Sequence, residues 1–185
     1  FMGYRIPPQG SDEDYALQML TTLLSSGQSS RFYKQLVDEE QLALQVFAFP
    51  YTLESGGLFI TLGITNMGKS PEDLEAGMDA EIKRVQAELI SDEELQKLQN
   101  QMENAFVNSN STVAGIAESL ADYHVYYGDA NLINNEIERY MAVTKEDIMN
   151  AAKKYLVPEN SVVLYYLPKS AKQQPEDSEI KKEGN

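Results

Sequence analysis

The sequence predicts an α+β fold, an antiparallel or mixed sheet with helices packed on one face. Three observations predict it. Two runs alternate with period two, residues 42–49 and 58–65, and a Gly-Gly turn joins them, which makes an antiparallel hairpin. The segments after that hairpin carry helical spacing with recognisable start signals. Short strand-like runs open and close the folded part of the chain.

Taken in order, Met2-Gly3-Tyr4-Arg5-Ile6 reads as a strand stopped by Pro7-Pro8-Gln9-Gly10. Ser11 then caps a helix with Asp12, Glu13 and Asp14 in its first turn, where the helix dipole favours acids. Leu17, Leu20, Leu23 and Leu24 form its buried face, and Gly27 suits the left-handed position at its end. Residues 29–50 follow as a helix run directly into a strand. Phe32, Leu36 and Val37 share the helical face; Leu42, Leu44, Val46 and Ala48 share one side of the strand. In the second strand Leu58, Ile60, Leu62 and Ile64 form one face, and Phe59, Thr61 and Gly63 form the other.

Ser70-Pro71 opens a long helix with the stripe Leu74, Met78, Ile82, Val85 and Leu89. Ser91-Asp92-Glu93-Glu94 is a capping box for the next, whose face is Leu95, Leu98, Met102 and Phe106. The helical pattern continues past a break at residues 108–112. A short helix is expected over 131–140 and another from Thr144 to Leu156. Pro158-Glu159-Asn160 turns the chain into a last strand over 161–167. The domain boundary falls at residue 168, and residues 169–185 are polar, without aromatics, and expected to be disordered.

At 185 residues the chain is long enough to bury a core as one domain. Its formal net charge of −14 argues against nucleic acid and anionic membrane surfaces as partners. No apolar run approaches the ~20 residues of a membrane-spanning helix. The absence of cysteine excludes disulfides and thiolate metal sites, and the single histidine, His124, excludes a multi-histidine site built from this chain alone. The chain starts inside a strand pattern, as a fragment or processed product would.

Each candidate for chemistry has a plainer reading. His124 could be a base or one ligand of an intermolecular metal site, but a helix-packing histidine fits its surroundings better. Asp92-Glu93-Glu94 is explained by capping. Asp38-Glu39-Glu40 sits at a helix C-terminus, where acids are unfavourable, and is either a solvated face or in need of a partner. Gly56-Gly57 lacks the lysine and helix start of a phosphate loop. Asn110-Ser111-Thr112 matches the glycosylation pattern only weakly, and Tyr123, Tyr126 and Tyr127 read as packing. No nucleophile–base pair, zinc-ligand set or cofactor loop can be assembled, so the expected catalytic and metal residues of this segment are none.

The motif order resembles a known family. Tyr4-Arg5-Ile6-Pro7, the leucine-rich helix to Gly27, Ser29-Ser30-Arg31-Phe32-Tyr33, the run from Leu36 to Val46, the Gly-Gly hairpin and Val163-Leu164-Tyr165-Tyr166-Leu167-Pro168 are similar to the C-terminal, non-zinc domain of insulinase/pitrilysin zinc peptidases, which include the mitochondrial processing peptidases. The resemblance covers about residues 3–168 and implies a chamber-forming domain of a zinc-dependent metalloendopeptidase that cleaves peptides. It implies zinc in the parent enzyme, held by a His-x-x-Glu-His motif in an upstream domain or on a partner. The family's substrate-contacting arginine and tyrosine fall at Val37 and Leu44, which cannot hydrogen-bond a peptide. The resemblance therefore implies either a second subunit that supplies the Arg/Tyr pair or, alternatively, a non-peptidase scaffold of the same family. It favours a bacterial periplasm or envelope location. A stand-alone module that binds peptide along a free strand edge is a third reading.

Overall fold

The computed structural model describes residues 1–168. In chain order these form β1 (Met2–Ile6), α1 (Asp12–Ser25), a π-helical segment (Tyr33–Glu39), β2 (Ala43–Leu53), β3 (Gly56–Thr65), α2 (Pro71–Ala87), α3 (Asp92–Ser109), α4 (Val113–Tyr127), α5 (Glu136–Ala142), α6 (Lys145–Tyr155) and β4 (Ser161–Val163). The sheet runs β2-β3-β1-β4. Every pairing is antiparallel, so the mixed alternative is not used. Helices α1, α2 and α6 rest on one face of it. The polar tail expected over 169–185 lies outside the described residues.

The face of β3 that is buried is the opposite of the more aliphatic one. Phe59 and Thr61 are fully enclosed, while Leu58 and Ile64 are exposed and Ile60 and Leu62 half-buried. Helix packing decides this. A Cβ at Gly63 would stand 2.6 Å from Leu74 Cδ2 and 2.8 Å from Met78 Cε, so α2 can approach the sheet only over a residue without a side chain. The β2 alternation breaks for a related reason. A register shift between Ala43 and Gln45 places Ala43, Val46 and Ala48 inward and turns Leu44 outward, 55% exposed, instead of leaving it beside Val46. The inner rows of β2 and β3 are thus mostly small residues lying under helices.

Helix starts follow the sequence closely. Ser70 accepts from Asp73 N–H at 3.0 Å with Pro71 behind it, and Ser91 with Glu94 and Thr144 with Asp147 complete capping boxes. Ser11 is the exception: its hydroxyl makes no cap bond, and Asp14 Oδ2 instead accepts the Gly10 N–H at 3.0 Å. The α2 stripe is buried through Val85, but the helix stops at Ala87, so Leu89 is exposed and Ile90 fills the core in its place. The helix expected over 131–140 divides into a 3-10 turn, Ala130–Asn134, and α5, because Asn135 leaves helical geometry between them.

The last strand is three residues long, not seven. Leu164 still exchanges both backbone hydrogen bonds with Phe1, at 2.8 and 3.0 Å, but past Phe1 no described residue continues β1 to pair with 165–167.

The joint at residues 29–50 is a π-helix, closed by Glu40 N–H on Gln35 O at 2.9 Å. It buries Phe32 and Leu36 and packs Val37 partly against the core. Gln41, at φ 52°, makes the turn into β2 that a glycine would make without strain. Arg31 ties the joint to α3: its Nε and Nη2 donate to the two Glu94 carboxylate oxygens, each at 3.1 Å. Burial works against the Glu94 charge, yet the Arg31 guanidinium and the Ser91 N–H outweigh it and hold the carboxyl below its usual value.

The close approach at Gly63 has a measurable consequence. Gly63→Val should cost about 1–3 kcal/mol of stability through overpacking against Leu74 and Met78, read as a lower midpoint in urea at unchanged slope.

Candidate functional site on the open face of the sheet

The face of the sheet turned away from α1, α2 and α6 is apolar and, among the described residues, uncovered. Its rows follow from the register. Phe47 stands opposite Leu62; Phe49 opposite Ile60, which faces Gly3 and then Val162; Tyr51 opposite Leu58, which faces Arg5. Phe47, Phe49, Tyr51 and Leu58 are all exposed, as are Leu44 and Leu53 at the two ends of β2. Burying one side chain of this size is worth roughly 1.5–3 kcal/mol, so the face as a whole is strongly driven toward a complementary surface.

The β2 edge is a poor site for adding a peptide strand. Ala48 N–H, which points out of the sheet edge, is already bonded to Ser25 Oγ at 2.7 Å. Pro50, two residues on and hence on the same edge, has no N–H to offer. On this edge the strand-binding module expected as one reading therefore lacks two of its donors in a row.

Val37 and Leu44, where the resemblance puts substrate contacts, are separated by the structure. Val37 packs inward and Leu44 stands out on the open face. Asp38, Glu39 and Glu40 are all solvated, with Glu40 Oε1 accepting only from Gln35 Nε2 at 2.7 Å. His124 is exposed on α4 and not packed between helices, since no residue of α4 is buried. Tyr123 and Tyr127 do stack edge to face, centroids 5.7 Å apart, but Tyr126 faces solvent. Asn110 turns inward, its Nδ2 donating to Phe106 O at 3.0 Å. Among the described residues no three of His, Cys, Asp and Glu converge, so these residues do not fit a zinc ion.

One polar cluster was not visible in the sequence. Where α1 meets α5, Tyr15 donates to the buried Glu136 at 3.1 Å, and Arg139 donates to Tyr15 Oη at 3.0 Å while lying over its ring. Burial pushes the Glu136 carboxyl up, against the opposing pull of Tyr15 and Arg139; the nearby Asp14 charge adds to the rise. Burial also raises Asp14, whose Oδ1 has no partner. These partners are more than a hundred positions apart in the chain, and only the odd placement of Glu136 beside apolar Ile137 hints at burial.

Two measurements probe these features. Because both carboxyls bind their protons more tightly folded than unfolded, their contribution to stability is complete below the ordinary carboxylate range. It falls away as pH rises through the raised folded values. Glu136→Gln should therefore flatten the decline of melting temperature above about pH 4.5. On the sheet, Phe59→Ala should cost about 3–5 kcal/mol, whereas Phe49→Ser on the open face should cost under about 1 kcal/mol and reduce binding of an apolar fluorescent dye.

Known proteins share both the sequence pattern and the fold. Residues 1–102 match the family pattern described as the peptidase M16 inactive domain. The zinc protease PqqE of Helicobacter pylori (strain ATCC 700392 / 26695) is 25% identical over 167 residues, covering 90% of this chain and 37% of that protein. The chain thus spans little more than a third of that relative's length. A solved protease structure from Helicobacter pylori superposes with a TM-score of 0.80 at 24% identity, over 86% of this chain and 38% of that one. A structure assigned as a zinc protease from Bordetella pertussis Tohama I gives 0.78 at 24% identity, over 90% and 91%. The pattern spans more than half of the chain and agrees with the insulinase/pitrilysin motifs read from the sequence: the chain belongs to the peptidase M16 inactive domain family.

Proposed function

We propose that this chain is the non-catalytic, chamber-forming domain of a zinc-dependent metalloendopeptidase that cleaves peptides. The observation that carries the reading is the open apolar face, large enough to need a covering surface and built on the strands that the family pattern matches. In this reading an upstream domain of the same protein holds the zinc, and the open face closes one side of the cavity in which a peptide lies. The zinc supplies an activated water; the residues of this chain supply wall and shape. Leu44 stands on that wall and can contact apolar substrate side chains, but neither it nor Val37 can hold a peptide carbonyl or a developing oxyanion. Those donors come from a second subunit. The solvated Asp38-Glu39-Glu40 run borders the joint and gives the rim a negative charge.

Zinc analysis and a peptidase assay test this directly. The 185-residue chain should bind no stoichiometric zinc and cleave no peptide, whereas the full-length protein should carry zinc and lose at least tenfold in kcat/KM on Phe49→Asp. Tight one-to-one zinc in the isolated chain would sink the reading. A full-length protein without His-x-x-Glu-His would turn it toward a non-peptidase scaffold.

A further inference from the structure

The chain carries 29 acidic residues against 15 basic ones, so a place where cations gather is an exception to its overall charge. One such place is a cavity of about 210 Å³ between the end of α1, the joint before β2 and the start of α3. Arg31, Lys34 and Lys97 all line it. Leu23 and Leu98, both buried, give it an apolar side, and hydrogen bonds made against such a surface are stronger than in open water.

Each cation brings donors that the fold leaves over. The Nε–Nη2 edge of Arg31, the flat fork that matches a carboxylate, is taken by Glu94. Arg31 Nη1 lies outside that edge, buried, and has no partner among the described residues. A buried guanidinium N–H without an acceptor is costly, which sets this arginine apart from one on an open surface. Lys97 Nζ donates to Ser29 O at 3.2 Å and also to Ser29 Oγ. An ammonium has three N–H groups, so one remains, and the Ser29 hydroxyl keeps its own hydrogen to give. Lys34 is exposed and forms no ion pair among the described residues.

The acids beside the cavity do not cancel these charges. Glu94 is engaged by Arg31 and by the Ser91 N–H, which leaves Lys34 and Lys97 against the exposed Glu93. The leftover donors also decide the class of ligand. A carboxylate is met best by a planar fork, and that fork is in use. What remains is a set of single donors at different points of the wall, on the joint and on α3. Such a set suits a tetrahedral oxyanion, whose oxygens point in several directions and which lysine binds as a point charge.

We propose that this cavity binds a phosphate-class oxyanion, held by Arg31 Nη1, Lys34, Lys97 and the Ser29 hydroxyl. Neither zinc nor peptide cleavage enters into it, so the site stands or falls apart from the function proposed above. A bound anion supplies the acceptor that Nη1 lacks and ties the joint more firmly to α3.

Titration of the 185-residue chain with inorganic phosphate near neutral pH, followed by amide chemical shifts at constant ionic strength, tests it. The amides of residues 29–34 and 93–97 should shift and saturate, whereas chloride at the same ionic strength should leave them in place. Lys34→Gln and Lys97→Gln should each weaken phosphate about fivefold by removing a charge-assisted hydrogen bond. Glu93→Gln should strengthen it about twofold by removing an exposed like charge. The melting temperature of Lys34→Gln in chloride should match that of the unaltered chain, which separates lost binding from lost folding. O-phosphoserine distinguishes the two sources of such a group: binding as tight as phosphate marks a phosphorylated ligand, and binding of phosphate alone marks the free ion. Shifts that chloride reproduces, an affinity that Lys34→Gln leaves unchanged, or acetate bound as tightly as phosphate would overturn the proposal.

Discussion

Close approach of α1 and α2 to the sheet is the constraint from which the rest of the structure follows. A Cβ at Gly63 would meet α2 within 3 Å and Ala48 N–H bonds Ser25 Oγ of α1 at 2.7 Å; the inner rows of β2 and β3 are Ala43, Val46, Ala48, Thr61 and Gly63, with Phe59 as the large residue among them. Small residues inside let the leucines of α1 and the Leu74–Val85 stripe of α2 fill the core from the helix side. Apart from Phe59, the larger residues of β2 and β3 are displaced outward, while β1 keeps Met2, Tyr4 and Ile6 inside. The apolar open face is thus a direct result of how the buried face is packed, and the same choice that stabilises the domain creates its demand for a partner.

The joint at residues 29–50 transmits that choice along the chain. The π-helix sets Leu36 against the core, Gln41 reverses the backbone, and the bulge at Ala43/Gln45 brings small residues under α1. Arg31 and Glu94 lock this path to the start of α3 with two parallel hydrogen bonds. Glu94 serves at once as capping residue and as ion-pair partner, so two devices that each contribute about 1 kcal/mol act on the same turn.

Much of this was legible in the residues. Ser70-Pro71, Ser91 with Glu94 and Thr144 with Asp147 marked three helix starts; the hairpin was marked as well, but its turn is Glu54-Ser55, and Gly56 and Gly57 already belong to β3, not to the turn. The strands that form the candidate site were therefore located, but not the side of them that matters. Both alternations of β3 are largely apolar, so period alone could not choose between Leu58/Ile60/Leu62/Ile64 and Phe59/Thr61/Gly63. Gly63 was the available clue, since a residue with no side chain in a strand signals close approach of another element. Leu44 was misplaced because a bulge cannot be read from alternation that it interrupts. Glu136 and Tyr15 meet across the fold, and no local spacing reports such a contact.

The guarded edge of β2 gives the open face a particular kind of safety. A strand edge with free donors can template further strands without limit, and an apolar surface beside it would feed a growing fibre. Here Ser25 occupies one donor, Pro50 removes the next, and the opposite edge at β4 is only three residues long. The apolar face can thus meet a complementary surface without a neighbouring β2 edge rich in free donors beside it.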